Sequence, residues 1–375
     1  MVILGTGEEL WMRFVPKYLE ALGASVTIIS LYGVLRNLLD GVYQYPGGWL
    51  ADRLGRRKSL VVFTLLAIAG YGLYMAAPDW RWVLAGTVFV MAWSSLSLPA
   101  IFAVIGDNLS SDRRAIGFSV QSILKRIPVV VGAMIGGWLI VRLGMVRGVR
   151  VGLAATIVLA LVSILIVRRW YVEKPPGSRD SHGFLSIWRG MDRNLKRLLV
   201  ADILARWAEG IPDVFIVLYV TNVLGLNPLF YATLIAVQRL TSILIYLPIA
   251  KLSDRMNRKP FVLLTFAFFA LFPLALARAH GLMWITLAFV VAGLREIGEP
   301  ARKALIVDLA SASARGRAVG AYYLVRGLAV FAAPFVGGVL WKVDPSLPFL
   351  VAFVVGVAGL IAYAVWGPGS GTHNA

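Results

Sequence analysis

The sequence predicts an all-α polytopic membrane protein whose twelve transmembrane helices form two pseudo-symmetric six-helix bundles. Three observations carry this expectation. Of 375 residues, 59% are hydrophobic and 15% charged, with a mean hydropathy of +0.78, a balance outside the range of soluble domains. Apolar segments of about 20 residues, the length that crosses a bilayer, recur along the whole chain. The second half also repeats motifs of the first.

In order, the expected spans are 1–20, 26–50, 59–78, 82–106, 115–139, 150–167, 198–221, 228–250, 260–278, 282–301, 317–340 and 347–366. Short turns bearing Gly, Pro, Asp and Arg separate them. In span one, Glu8 and Glu9 interrupt the apolar run and no basic n-region or small-residue cleavage site is present, so a secretory signal peptide is not expected. The net charge of +18 follows from placement rather than from a nucleic-acid partner. The loops after spans two, four, six, eight and ten hold about 22 Lys and Arg against about 6 in the opposite set, so by the positive-inside rule the former, and both termini, are cytoplasmic. That topology expects a plasma (inner) membrane protein whose first partner is the lipid bilayer. With no Cys, disulfides and thiolate metal sites are excluded.

The internal repeat accounts for the short first span. Sliding the chain by 202 residues places Pro46 on Pro248, Leu50 on Leu252, Asp52 on Asp254, Arg53 on Arg255 and Arg56 on Arg258. A second correspondence matches Asp107 with Asp308 and Arg114 with Arg317, and "GAMIGG" (132–137) parallels "APFVGG" (333–338). The same shift puts the start of span one before Met1, so span one is expected to be truncated. The expected organisation is a six-helix bundle over 1–167, a cytoplasmic linker over 168–197, a second bundle over 198–366 and a tail, 367–375. Within the linker, Phe184, Trp188, Met191 and Leu195 fall at i, i+4, i+7 and i+11 among Arg189, Arg193, Lys196 and Arg197, the pattern of a helix lying on the membrane surface. A solvated linker is the alternative.

The stretch "GWLADRLGRR" matches the loop signature G-x-x-x-D-[RK]-x-G-[RK]-[RK] through Gly48, Asp52, Arg53, Gly55, Arg56 and Arg57, and a second copy fits at Asp254, Arg255, Arg258 and Lys259. With twelve spans, a 6+6 repeat and a basic central loop, the chain resembles the major facilitator superfamily over essentially its whole length. The resemblance implies a secondary transporter working by alternating access. It also implies that this cluster latches the halves in the outward-open state, with Asp107, Arg114, Asp308 and Arg317 as partners. In physical terms Gly48 permits close helix approach, Asp52 can meet a helix N-terminus, and the arginines can pair with Asp107.

Charges inside the membrane are costly and mark solute and proton pathways. Spans three, six, nine and twelve contain no Asp, Glu, Lys or Arg between Leu60 and Ala77, Val151 and Val167, Phe261 and Ala277, and Leu347 and Trp366; these are expected to face lipid. The others carry Glu8, Glu9, Arg13, Arg36, Asp40, Lys125, Arg126, Asp202, Arg206, Glu209, Asp213, Arg239, Arg295, Glu296, Glu299 and Arg326. Spacing places Asp202, Arg206, Glu209 and Asp213 on one face of span seven, and pairs Arg295 with Glu299, Arg36 with Asp40 and Glu9 with Arg13 at four residues apart. Self-satisfied structural ion pairs are the bland alternative.

The three histidines lie in loops, helix ends or the tail, so carboxylates are the expected proton carriers: Glu8 or Glu9, Glu209, and Glu296 or Glu299. The expected cavity wall comprises Arg13, Arg36, Asp40, Lys125, Arg126, Arg206, Asp213, Arg239, Arg295 and Arg326, suited to an anionic, zwitterionic or amphipathic small solute. "GAMIGG" resembles the G-P-x-x-G-G motif of proton-linked exporters with Ala133 in place of Pro, which favours export slightly over uptake. An uncoupled facilitator or lipid flippase of the same fold is the runner-up. A membrane enzyme is remote, since no Walker loop, G-x-S-x-G, H-E-x-x-H or His/Cys metal spacing occurs. No cofactor is expected, and a monomer is.

Overall fold

A computed structural model describes residues 2–93, 126–170, 191–253, 257–309 and 315–368. Every described segment of regular structure is helical. Span one is α1 (Val2–Glu9) and α2 (Val15–Ala21) around a 3₁₀ turn, Met12–Phe14. Spans two to six are α3 (Val26–Leu54), α4 (Arg56–Ala76), α5 (Trp80–Met91), α6 (Arg126–Leu143) and α7 (Met145–Trp170). Span seven begins as α8 (Arg193–Gly210), passes a 3₁₀ turn, Asp213–Phe215, and ends in a π turn, Tyr219–Val223. Then follow α9 (Pro228–Ser253) and α10 (Lys259–Ala277). Span ten is α11 (Leu282–Leu294) and α12 (Glu299–Asp308), span eleven α13 (Arg315–Val330) and α14 (Ala333–Val343), and span twelve α15 (Leu347–Trp366).

Local chemistry sets these boundaries. The Asp79 carboxylate accepts from the Arg81 N–H to cap α5, and Asp192 accepts from the Asn194 and Leu195 N–H groups to cap α8. Gly55, at φ +82°, turns α3 into α4, a conformation that glycine adopts without the Cβ penalty. Prolines mark the interruptions: Pro212 supplies no N–H beyond α8, while Pro16, Pro300 and Pro334 stand in the first turn of α2, α12 and α14, where the missing N–H costs nothing. The breaks in spans one and seven, Met12–Phe14 and Asp213–Phe215, lie 201 residues apart, so the repeat includes the interruption itself.

Seven described segments are long and apolar enough to cross a membrane. The shortfall from twelve has physical causes. Spans one, seven and ten are broken, span two carries charges, and α5 runs into undescribed residues. On α7, Val158, Leu161, Val162 and Leu165 are all exposed at helical spacing, an apolar stripe suited to lipid contact.

Contacts divide the chain into two compact units: Met1–Arg179 with Phe215–Ala236, and Asp180–Val214 with Val237–Ala375. The units do not coincide with the repeat halves, because 215–236 packs with the first of them. Lys17 Nζ bonds Glu20 and Asn222, and Asn222 Nδ2 returns a hydrogen bond to Glu20 Oε1 at 2.7 Å. Phe14 and Tyr231 meet edge to face at 5.7 Å. In the same unit a Cβ on Gly136 would collide with the Leu10 carbonyl, so glycine is what lets α6 approach the break in span one. The second unit is held by α15 against α8 and α10. There Gly359 lies over Ala201 and Ala205, Gly356 over Ala270, and Phe266 meets Tyr363 at 5.3 Å.

Candidate functional site

Within the second unit, four spans place charged groups near their own midpoints. On α8, Asp202, Arg206 and Glu209 share one face, as the spacing predicts. Asp213 is not on that face: α8 stops at Gly210 because Pro212 breaks the ladder, and Asp213 opens the 3₁₀ turn. The expected Arg295–Glu299 pair is likewise divided by the break at 295–298. A Cβ at Gly298 would strike the Phe261 carbonyl, and the Gly298 N–H donates to Thr265 Oγ1 at 2.6 Å. Arg295 therefore reaches Glu209 Oε1 at 3.6 Å, while Glu299 turns to other partners.

The charges form two tiers. The buried tier centres on Arg302, which is 1% exposed: its Nη1 donates to Asp202 Oδ2 at 2.5 Å and its Nη2 to Glu299 Oε1 and Oε2 at 2.8 and 2.7 Å. Asp202, also 1% exposed, accepts further bonds from Tyr322 Oη at 2.9 Å and Arg326 Nη1 at 3.2 Å. Such forked, multiply bonded pairs offset the cost of burying charge.

The second tier faces a cavity of about 100 Å³ lined by Arg206, Arg239 and Arg295, by Glu209, Glu296 and Glu299, and by Gln238 and Phe269. Arg206 bridges the tiers, donating to Glu209 Oε2 at 2.7 Å and Glu299 Oε2 at 3.4 Å and lying 3.8 Å from Asp202 Oδ1. Arg239 approaches Glu296 at 3.7 Å. The guanidinium groups of Arg206 and Arg295 flank the Phe269 ring at 5.0 and 5.2 Å from its centre, favourable cation–π geometry.

In the first unit Glu8 is buried and accepts from Tyr71 Oη at 2.7 Å. Glu9 pairs with Arg13 at 3.0 Å, four residues on, as expected from spacing. Trp11 Nε1 donates to Thr156 Oγ1 at 3.0 Å, tying the broken span one to α7. Arg36 and Arg126 are half-buried on α3 and α6, and Asp40 is exposed on α3. Of the expected latch, Arg258 meets Asp308 directly. Arg57 donates to the Arg168 carbonyl near the end of α7, and Arg53 is exposed. Gly48 and Asp52 lie in α3, Arg56 begins α4 and Arg317 lies in α13. Lys125, Asp107, Arg114, Asp254 and Arg255, like Phe184 and Trp188 of the linker, lie outside the described residues.

Sequence reasoning missed Arg302, counting it among the cytoplasmic bases that follow span ten. The signal was its position three residues after Glu299 and on the same helix face. Gln238 and Phe269 carried no comparable signal, since aromatics and amides in membrane helices are common.

Membrane-length helices, broken at mid-span and enclosing ion-paired charges, define an integral membrane transporter. The Major Facilitator Superfamily model matches residues 1–208 and again 198–374, and the chain belongs to that superfamily. It is 26% identical over 357 residues to multidrug resistance protein MdtH of Yersinia enterocolitica, covering 92% of this chain and 86% of the relative. It is 22% identical over 362 residues to the uncharacterized MFS-type transporter MJ1317 of Methanocaldococcus jannaschii, covering 94% and 89%. Its fold superposes on a mutant of nucleoside transporter NupG with a TM-score of 0.76 at 12% identity, covering 97% of both chains.

Proposed function

We propose that the protein is a proton-coupled secondary transporter of a small charged organic solute, working by alternating access and exporting it across the plasma (inner) membrane. The carrying observation is the set of ion-paired arginines and glutamates around the mid-span cavity. A carboxylate that takes up a proton there releases the arginine paired with it, and that arginine can then hold an anionic group of the solute. Proton and solute are thereby linked through one guanidinium. The "GAMIGG" stretch and the likeness to a protein named for multidrug resistance support export. The reading keeps both termini cytoplasmic, two repeat halves, 1–167 and 198–366, a monomer, and a cytoplasmic latch that includes Arg258 and Asp308.

The coupling acids are drawn from Glu8, Glu9, Glu209, Glu296 and Glu299. Glu299 is held by Arg302, Arg206 and Lys303 and acts structurally; Glu296, 3.7 Å from Arg239 on the cavity wall, is the coupling acid of this reading. The test is solute-triggered collapse of an imposed pH gradient in proteoliposomes. Wild type should show it and E296Q should not, while keeping solute exchange without a gradient. Undiminished pH-driven flux in the Gln variants of all five acids overturns the proton coupling and leaves the uncoupled facilitator.

A further inference from the structure

We infer that the Arg295 guanidinium is a preformed seat for the carboxylate of a solute, and that Glu209 is the built-in acid competing for it. This names the solute class of the transport reading above and rests on that reading only for movement, not for binding.

The seat is fixed from α10. Thr265, Phe269 and Phe272 share one face of that helix, at i, i+4 and i+7. Thr265 Oγ1 takes the Gly298 N–H at 2.6 Å and so ties the break of span ten to α10. The centres of the two rings lie 5.2 and 4.8 Å from the Arg295 guanidinium, and Arg295 Nε donates to the Ala292 carbonyl at 3.0 Å. A guanidinium already held by two rings and a carbonyl loses little freedom when a ligand arrives.

The donors that remain serve the cavity. The Arg295 side chain, 11% exposed, lines it, and its two Nη groups make no hydrogen bond among the described residues. Glu209 Oε1 stands 3.6 Å from Nη1, beyond hydrogen-bond range, because Arg206 Nη1 holds the other oxygen of that carboxylate at 2.7 Å. Glu209 therefore offsets the charge of Arg295 while leaving its hydrogen bonds unmade. Two coplanar Nη groups match the two oxygens of a carboxylate, so a solute carboxylate gains short bonds that no protein group supplies.

The charge of the wall agrees. With Glu299 committed to Arg302 and Lys303, three arginines face two glutamates, and one negative charge on the solute balances them. An ammonium would meet Arg295 as a like charge, and the second charge of a phosphate dianion would face Glu209. About 100 Å³ is the share of roughly three waters in the liquid, so the cavity admits the carboxylate and leaves the larger part of the solute outside.

The test uses the purified full-length protein in detergent, at matched ionic strength with chloride as the reference anion. The probes are the straight-chain carboxylates from acetate to hexanoate, the amines and alcohols of equal length, and inorganic phosphate. At least one carboxylate should raise the thermal unfolding midpoint by several degrees, with no comparable shift from the other probes. R295Q, which leaves Glu209 paired with Arg206 and strands no acid, should lose the shift. E209Q, which removes the competing charge, should tighten apparent carboxylate affinity by about tenfold. The inference is overturned if no carboxylate stabilises wild type, if an amine, alcohol or phosphate does as well, if R295Q keeps the shift or if E209Q weakens it. Should R295Q not fold, the wild-type series and E209Q decide. Carboxylate stabilisation without pH-driven flux would sink the coupling and spare the seat; pH-driven flux of a solute lacking an anionic group, undiminished in R295Q, would do the opposite.

Discussion

Arg302 shows what one residue does in this site. A guanidinium with 1% exposure is tolerated because Asp202 and Glu299 neutralise it and Asp202 is further bonded by Tyr322 and Arg326. Removing it strands two buried carboxylates, so R302M should cost about 3–5 kcal/mol of stability and lower the unfolding midpoint of the purified protein. The triple variant D202N/E299Q/R302M should recover part of that loss, since no buried carboxylate is then stranded, while Arg326 and Lys303 lose their acid partners. An R302M protein as stable as wild type would mean that the buried tier is not the scaffold described above. The sequence was readable here as far as Asp202, Arg206 and Glu209, whose spacing alone puts them on one face. Arg302 was not, because a basic residue near a cytoplasmic boundary has a ready topological explanation that masks burial.

At the scale of the element, interruptions matter more than the helices. Gly136 brings α6 onto the break in span one, and Gly298 brings the break in span ten onto α10. Alanine at either position must push backbone away from backbone, so G136A and G298A should reduce folded yield and lower the unfolding midpoint. G72A and G320A face open space and should be neutral or stabilising, by at most about 1 kcal/mol from the lower helix cost of alanine. Equal losses at all four positions would rule out the close-approach explanation. Span existence was legible from hydropathy almost throughout, since bilayer thickness imposes a length. The breaks were not: hydropathy does not register a missing hydrogen bond, and periodicity carried Asp213 onto a face that Pro212 ends.

At the scale of the whole molecule, the superfamily model matches the chain twice, and the Arg258–Asp308 pair belongs to the proposed latch. The Arg258–Asp308 pair is solvent-accessible, 21% and 55% exposed, and worth about 1 kcal/mol or less to stability. D308N should therefore leave the unfolding midpoint unchanged while altering transport rate; an unaltered rate would reduce the pair to a surface contact. The copied break has a different consequence. Shifted by 201 residues, Glu8 falls on Glu209 and Tyr71 on Phe272. In the first half the phenol hydroxyl reaches its glutamate. In the second the ring lacks that hydroxyl and instead carries, 4.8 Å from its centre, the Arg295 guanidinium that reaches the other glutamate. Both halves thus keep a glutamate beside a bend, met in the first by an uncharged donor and in the second by a cation.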